Sequence, residues 1–206
     1  MILAQTPQSS LSSGLLLAIF LSAALTDNIL LTRFLGMCSY LAVSRELKSA
    51  AGLGLAVAFV TTFTCLINAA LYWYVLAPLN LAVSLQLILF IVVIAAFVQL
   101  LEMLVERLSL KLYFALGIFL PLITVNCAIL GAGLFMINNN RGVIDGGIYG
   151  LGAGLGWMLA IILLAGIRVR LRSARIPAAL DGPGITLIIT GIMALAFIGF
   201  SGMIQF

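Results

Sequence analysis

The stretch Leu120-Pro-Leu-Ile-Thr-Val-Asn-Cys-Ala-Ile-Leu-Gly131 is apolar enough for a membrane yet poorly suited to a continuous helix. Pro121 lacks a backbone donor and its ring clashes with the preceding turn, and Thr124 and Asn126 follow just before Cys127. Opening a helix in lipid costs several kcal/mol for each backbone group left unpaired, so a break here implies that protein or ligand replaces the lost partners. The chain does this a second time, at Phe34-Leu-Gly-Met-Cys-Ser-Tyr-Leu-Ala-Val-Ser44, where Gly36 lies beside Cys38.

The surroundings of both stretches are also apolar. Of 206 residues, 64% are hydrophobic and 8% charged, and the mean hydropathy is +1.30. Such a chain has too little polar surface to cover a water-soluble globule and reads as an all-α integral membrane protein. Six apolar stretches reach the ~20 residues that cross a bilayer: roughly Leu15 to Val43, Ala50 to Tyr74, Ala82 to Leu104, Leu112 to Ile137, Gly147 to Ile167 and Gly184 to Ile204. The loops between them are too short for a nucleotide- or flavin-binding module, so residues 1–206 are expected to form one membrane domain. Met1 to Ser13 carries no Lys or Arg and reads as the lead into a retained first span rather than a cleaved signal peptide.

Basic residues orient the spans. One side receives Arg45 and Lys48, then Arg107 and Lys111, then Arg168, Arg170, Arg172 and Arg175, whereas the other receives Arg141. By the positive-inside rule, both termini face outward and the three basic loops face the cytoplasm. The net charge of +4 is thus a topology signal, and the Arg168 to Arg175 run flanks a helix end rather than marking a nucleic-acid surface.

Drawn as a straight helix, Leu15 to Val43 would extend over ~43 Å against a ~30 Å hydrocarbon core, and it contains Asp27, Asn28 and Arg33. It and the Pro121 segment therefore read as broken or re-entrant helices, each the first of three spans. This predicts six transmembrane helices arranged as two inverted three-helix repeats, about 11–106 and 110–204, whose broken first and fourth helices meet near the midplane. In the fifth span Gly146, Gly150 and Gly154 recur every fourth residue, as do Gly152 and Gly156, offering a stripe for close backbone approach. A phosphate-cradling glycine loop would need a preceding strand and a following Lys, and the sequence supplies neither. Gly52 and Gly54 read as packing residues too, and Trp73 with Tyr72 and Tyr74 suits a membrane interface.

The chain has no histidine, which removes bis-His haem, imidazole zinc sites and His-based acid–base catalysis. Its acidic residues are scattered, so a carboxylate pathway inside the membrane would have only Asp27 and Glu102 to use. For Asp27 two readings stand: an ion pair or hydrogen bond near Arg33 or Asn28, or a functional ionisable group. Cys65 has no helix breaker nearby and reads as a small packing residue. Cys38 and Cys127, beside the breaks, are the candidate metal and cofactor ligands, set against the plainer reading that they too are packing residues. Two thiolates are too few for an iron–sulfur cluster, which takes four cysteines, so a cluster would require a second chain. No catalytic residue is assigned.

Four strings carry a family resemblance: Arg33-Phe-Leu-Gly-Met-Cys-Ser-Tyr-Leu-Ala-Val-Ser44, Leu116-Gly-Ile-Phe-Leu-Pro-Leu-Ile-Thr-Val-Asn-Cys-Ala128, Gly156-Trp-Met-Leu-Ala160 and Gly199-Phe-Ser-Gly202. Over nearly its whole length the chain resembles the family that comprises the E subunit of the sodium-translocating NADH:quinone oxidoreductase and the A subunit of the Rnf ferredoxin:NAD oxidoreductase. Met37, Leu41-Ala-Val-Ser44, Val125 and Gly156-Trp-Met-Leu-Ala160 lean toward the quinone-reducing complex, while the loop around Pro78-Leu-Asn80 looks more like Rnf. The resemblance implies that Cys38 and Cys127 combine with two cysteines of a homologous six-helix subunit to hold an intramembrane 2Fe-2S cluster. That partner would be the D subunit of the quinone reductase or the E subunit of Rnf. It further implies an electron conduit between cytoplasmic carriers and outer flavin centres, in an ion-translocating complex of the bacterial inner membrane that uses NAD and ubiquinone. The chain would be enzymatic only within that complex, with Na⁺ coupling a property of the whole. A small secondary transporter, which inverted repeats with broken helices also describe, and a purely structural membrane subunit are the alternative classes.

Overall fold

The computed structural model describes residues 13–79, 82–108, 120–172 and 182–201, and among them every regular element is helical. Lys111, Arg175 and the start of the fourth apolar stretch lie outside the described residues. Helix α1 (Ser13–Leu21) runs on as a π-helical turn, Ser22–Thr26, and the short α2 (Met37–Val43) follows an interruption. Helix α3 (Leu47–Leu71) continues through a second π-helical turn, Tyr72–Leu76, and α4 (Ala82–Leu108) comes next. A second interrupted pair, α5 (Leu120–Thr124) and α6 (Cys127–Asn138), precedes the long α7 (Val143–Leu171) and α8 (Pro183–Ser201).

Among the described residues four stretches are long and apolar enough to cross a membrane: Leu47–Leu76, Leu85–Leu104, Pro121–Asn138 and Val143–Leu171. Gly14–Thr26 and Pro183–Gly199 are shorter apolar helices. The two π-helical turns carry the irregularity expected where a helix is bent or widened at a working site, and the first of them ends directly at Asp27.

Helix α7 is the axis of the molecule because its glycines let two elements approach its backbone from different sides. A Cβ at Gly154 would stand 2.6 Å from Ala58 Cα on α3, and one at Gly156 would stand 2.6 Å from the Ala24 carbonyl oxygen on the first π-helical turn. Neither site accepts even an alanine without moving main chain, as expected where small residues set the helix spacing. Cys65 is buried against Gly150, so its packing reading holds. Gly54 likewise meets Met158, but Gly52 has nothing within 4 Å, so the packing expectation holds for only one of that pair.

Helix α4 lies at the edge. Phe90, Ile94 and Val98 recur every fourth residue and are buried, while Ile88, Val92 and Leu100 on the rest of its circumference are 58–60% exposed. It presents one stripe to the bundle and leaves a wide apolar surface, the pattern of a helix solvated by lipid or by another membrane chain. Trp73 closes α3 by donating its indole N–H to the Arg141 carbonyl at 3.0 Å, which ties that helix end to the loop before α7.

The fourth stretch breaks at Val125–Asn126, four residues beyond Pro121, and helical geometry runs from Pro121 to Thr124. The proline therefore does not mark the gap. Asn126 does: its backbone leaves the helical region (φ −76°, ψ 112°) and its side-chain oxygen accepts from the Ala128 N–H at 3.0 Å, starting α6 afresh.

Candidate functional site

The two interruptions meet, and a pair of asparagines makes each survivable. Asn28 is fully buried. Its amide donates to the Ala24 carbonyl at 3.1 Å and to the Gly156 carbonyl of α7 at 2.7 Å, while its side-chain oxygen accepts from the N–H groups of Leu30 at 3.1 Å and Leu31 at 3.4 Å. One side chain thus replaces several backbone partners lost at the break, which is what an apolar environment demands of irregular main chain. Thr32 adds a hydroxyl bond to the Asn28 carbonyl at 2.7 Å. Asn126 performs the corresponding task at the second break.

The loop from Asp27 returns to helix through Gly36, whose φ of +82° is the left-handed conformation that an L side chain adopts at a cost. Gly36 also marks the crossing. A Cβ there would lie 2.7 Å from Asn126 Oδ1, 2.7 Å from Trp157 Nε1 and 3.0 Å from Ala128 Cβ. Cys38 is the second residue of α2 and Cys127 the first of α6, so the contact between Gly36 and the Asn126–Ala128 turn brings the two cysteine-bearing helix starts together. Both thiols are exposed and unbridged, while Cys65 is buried. Among the described residues no group of three or more His, Cys, Asp or Glu could hold a metal ion. Two buried N–H groups at the crossing, Asn126 Nδ2 and Trp157 Nε1, have no acceptor among the described residues.

Helix α2 has only seven residues and is held from outside. Arg168 of α7 donates to the Leu41 carbonyl at 3.3 Å and to Ser44 Oγ at 2.7 Å, and Arg172 donates to the Arg45 carbonyl at 2.6 Å. These bonds satisfy carbonyls that a helix C-terminus leaves without partners, with cations placed at the negative end of its dipole. On the other side Thr190 of α8 donates to the Tyr40 hydroxyl at 3.3 Å. The arginines that read in sequence as topology markers therefore also position the turn that carries Cys38.

Asp27 and Arg33 do not pair with each other among the described residues. The Arg33 guanidinium lies 4.4 Å from the centre of the Phe135 ring, and Asp27 lines a polar cleft beside it. Residue type and spacing single out the cysteines, Asp27 and Arg33, but miss the bridging role of Asn28 and the place of Trp157 under Gly36. An asparagine within an apolar run is the available signal for the first.

With this geometry in view, residues 16–204 match the Rnf-Nqr family, described as an Rnf-Nqr subunit and membrane protein. The chain is 51% identical over 199 residues to the E subunit of the Na(+)-translocating NADH-quinone reductase of Chlamydia trachomatis serovar L2, covering 91% of this chain and 82% of that relative. It is 48% identical over 188 residues to the A subunit of the Na(+)-translocating ferredoxin:NAD(+) oxidoreductase complex of Acetobacterium woodii, covering 91% and 97%. With the E subunit of the Na(+)-translocating NADH-quinone reductase of Psychromonas ingrahamii the identity is 47% over 196 residues, covering 91% and 97%. Matches of this extent leave no part of the described site outside the likeness: the chain belongs to the Rnf-Nqr family of membrane subunits.

Proposed function

We propose that this chain is an electron-transfer subunit of an ion-translocating oxidoreductase complex in a bacterial inner membrane, and that Cys38 and Cys127 supply half the ligands of a 2Fe-2S cluster. A homologous six-helix subunit supplies the other half. The observation that carries the reading is the crossing at Gly36, where two interrupted helices start side by side with an exposed thiol in the first turn of each. The relatives named as subunits of NADH-quinone and ferredoxin:NAD(+) oxidoreductases support it.

These residues fit half of such a group. Thiolate sulfur suits iron, and exposure leaves the remaining coordination open to a partner chain. Fresh helix starts present backbone N–H groups without intrahelical acceptors, and Asn126 Nδ2 and Trp157 Nε1 add two buried donors at the same crossing. Hydrogen bonds to cluster sulfurs are one of the means by which a protein sets a reduction potential. When bound, the cluster would supply a one-electron stepping point within a ~30 Å apolar slab. The chain's own work is positional: Asn28 and Asn126 make the two breaks tolerable, Gly36 lets them touch, and Arg168 fixes the short helix that carries Cys38.

The proposal includes six spans in two inverted halves, about 11–106 and 110–204, with both termini outside. It is supported by the recurrence of an interrupted helix followed by a long one in each half. Within the family the quinone-reducing complex is the first assignment, on Met37, Val125 and Gly156-Trp-Met-Leu-Ala160. The Rnf complex is the second reading, favoured by the loop around Pro78-Leu-Asn80. A ferredoxin-oxidising partner in the purified complex would decide for Rnf.

The test is Cys38→Ala and Cys127→Ala, each in the assembled complex. Iron per complex and the visible absorption of the cluster are expected to fall, and NADH- or ferredoxin-driven reduction of outer flavin to drop to background. Full iron content with unimpaired flavin reduction in both variants would sink the ligand assignment.

A further inference from the structure

Away from the cysteines lies a charged cleft to which the proposed electron path gives no task. It opens between the first π-helical turn, the loop that follows it, the end of α6 and the start of α7. Its interior measures about 30 Å³, enough for a few water molecules, and the rest of the cleft is open to the surroundings. Ser22, Asp27, Arg33, Asn139 and Arg141 line it, together with the rings on which the two arginines rest. Arg33 lies 4.4 Å from the centre of the Phe135 ring and Arg141 lies 4.8 Å from that of Tyr149.

This arrangement leaves charges unspent. Cation–π contact holds a guanidinium in place and consumes none of its N–H donors. Among the described residues no group accepts from the Arg33 guanidinium and none donates to the Asp27 carboxylate, and Arg141 Nε is buried without an acceptor. Asp27 and Arg33, both exposed, and Arg141 thus line one cleft without an ion pair among the described residues, an arrangement suited to a ligand that carries both signs.

The charge pattern identifies the ligand class. Two guanidiniums, with the second N–H of the Asn139 amide, whose first donates to the Phe135 carbonyl at 2.9 Å, present a set of donors suited to a phosphate oxygen pair. Asp27, with Ser22 beside it, is an acceptor for an ammonium group. Leu21, Leu25 and Ile144, which flank these residues in the chain, are 39%, 37% and 56% exposed and offer apolar surface to acyl chains. We infer that the open mouth of this cleft binds the headgroup of an ethanolamine phospholipid, with the phosphodiester held by Arg33 and Arg141 and the amine by Asp27. Basic recesses between transmembrane helices bind lipid headgroups on this principle, and here the added carboxylate selects for the amine.

The complex, purified in mild detergent, is to be equilibrated with vesicles containing equimolar phosphatidylethanolamine, phosphatidylcholine and phosphatidylglycerol, and its retained lipid read by native mass spectrometry. The wild-type protein is expected to retain the ethanolamine lipid over the choline lipid by about tenfold, since choline's amine has no N–H to donate. Asp27→Asn should abolish that preference while leaving total phospholipid unchanged. Arg33→Gln combined with Arg141→Gln should lose the retained lipid altogether. Equal retention of ethanolamine and choline lipids by the wild type would overturn the inference, and that comparison needs no variant to fold. Displacement of the retained lipid by inorganic phosphate alone would overturn the lipid source in favour of a free anion. A preference for phosphatidylglycerol that Asp27→Asn strengthens would overturn the role given to the amine.

Discussion

Gly36 shows how much of the site rests on one missing side chain. Its φ of +82° costs an alanine about 1–2 kcal/mol. The added Cβ would also press to 2.7 Å on both Asn126 Oδ1 and Trp157 Nε1, neither at the end of a flexible chain, and overpacking of that kind costs about 1–3 kcal/mol. Gly36→Ala is therefore expected to destabilise the crossing by about 2–5 kcal/mol in total. The strain is confined to the place where the two helix starts touch, so the expected loss is selective. Iron content and the midpoint potential of the proposed cluster should change before the helix content measured by circular dichroism does. Unaltered iron, potential and thermal stability in Gly36→Ala would show that the contact at Gly36 does not set the site.

At the scale of elements, α2 is too short to be a helix on its own strength, since isolated helices below about 12–15 residues are marginal even in favourable sequences. Its persistence depends on α7, through the charge-assisted bonds from Arg168 to Leu41 and Ser44. Replacing Arg168 with Met keeps an apolar stem and removes the donors, at an expected local cost of about 1.5–3 kcal/mol. The measurement is amide hydrogen exchange over Met37–Val43, which should speed up by one to two orders of magnitude while α3 stays protected. Exchange as slow as in the wild type would mean that side-chain packing, through buried Tyr40 and Val43, holds α2 without its cap. This dependence is not legible in the sequence. Arg168 reads there as a flanking charge, because nothing local links it to a carbonyl more than a hundred positions away. The breaks themselves are legible, as apolar runs too long or too polar for one helix, but their sites are not. Pro121 draws attention four residues early because a proline forbids one backbone bond, whereas the actual gap follows an asparagine able to cap what comes next. The glycine stripe of α7 is readable because a period of four places small residues on one face whatever the partner. The same arithmetic cannot foresee that Gly156 faces the broken first helix while Gly154 faces α3.

For the whole molecule, the described helices and the basic residues make one argument about orientation. Long α7 begins just after Arg141 and ends at Arg168, Arg170 and Arg172, so its two ends differ sharply in positive charge. Translocating the second end would carry three arginines across the membrane, and the first end one. The charge-rich end is therefore expected in the cytoplasm, together with the cap that holds α2. Tyr74, which is 78% exposed near the end of α3, belongs to the opposite side, since Trp73 bonds to the Arg141 loop. Two single variants read this directly in sealed cells with a membrane-impermeant maleimide. Tyr74→Cys should label well above the background set by the native cysteines, and Arg170→Cys should label only after the membrane is permeabilised. The reverse pattern would turn the molecule over. It would put the Arg168 cap and α2 in the outer half and the charged cleft at Asp27 on the cytoplasmic side. The proposed path between cytoplasmic carriers and the outer side would then run through the crossing in the opposite sense, so the direction proposed for it stands or falls with this labelling.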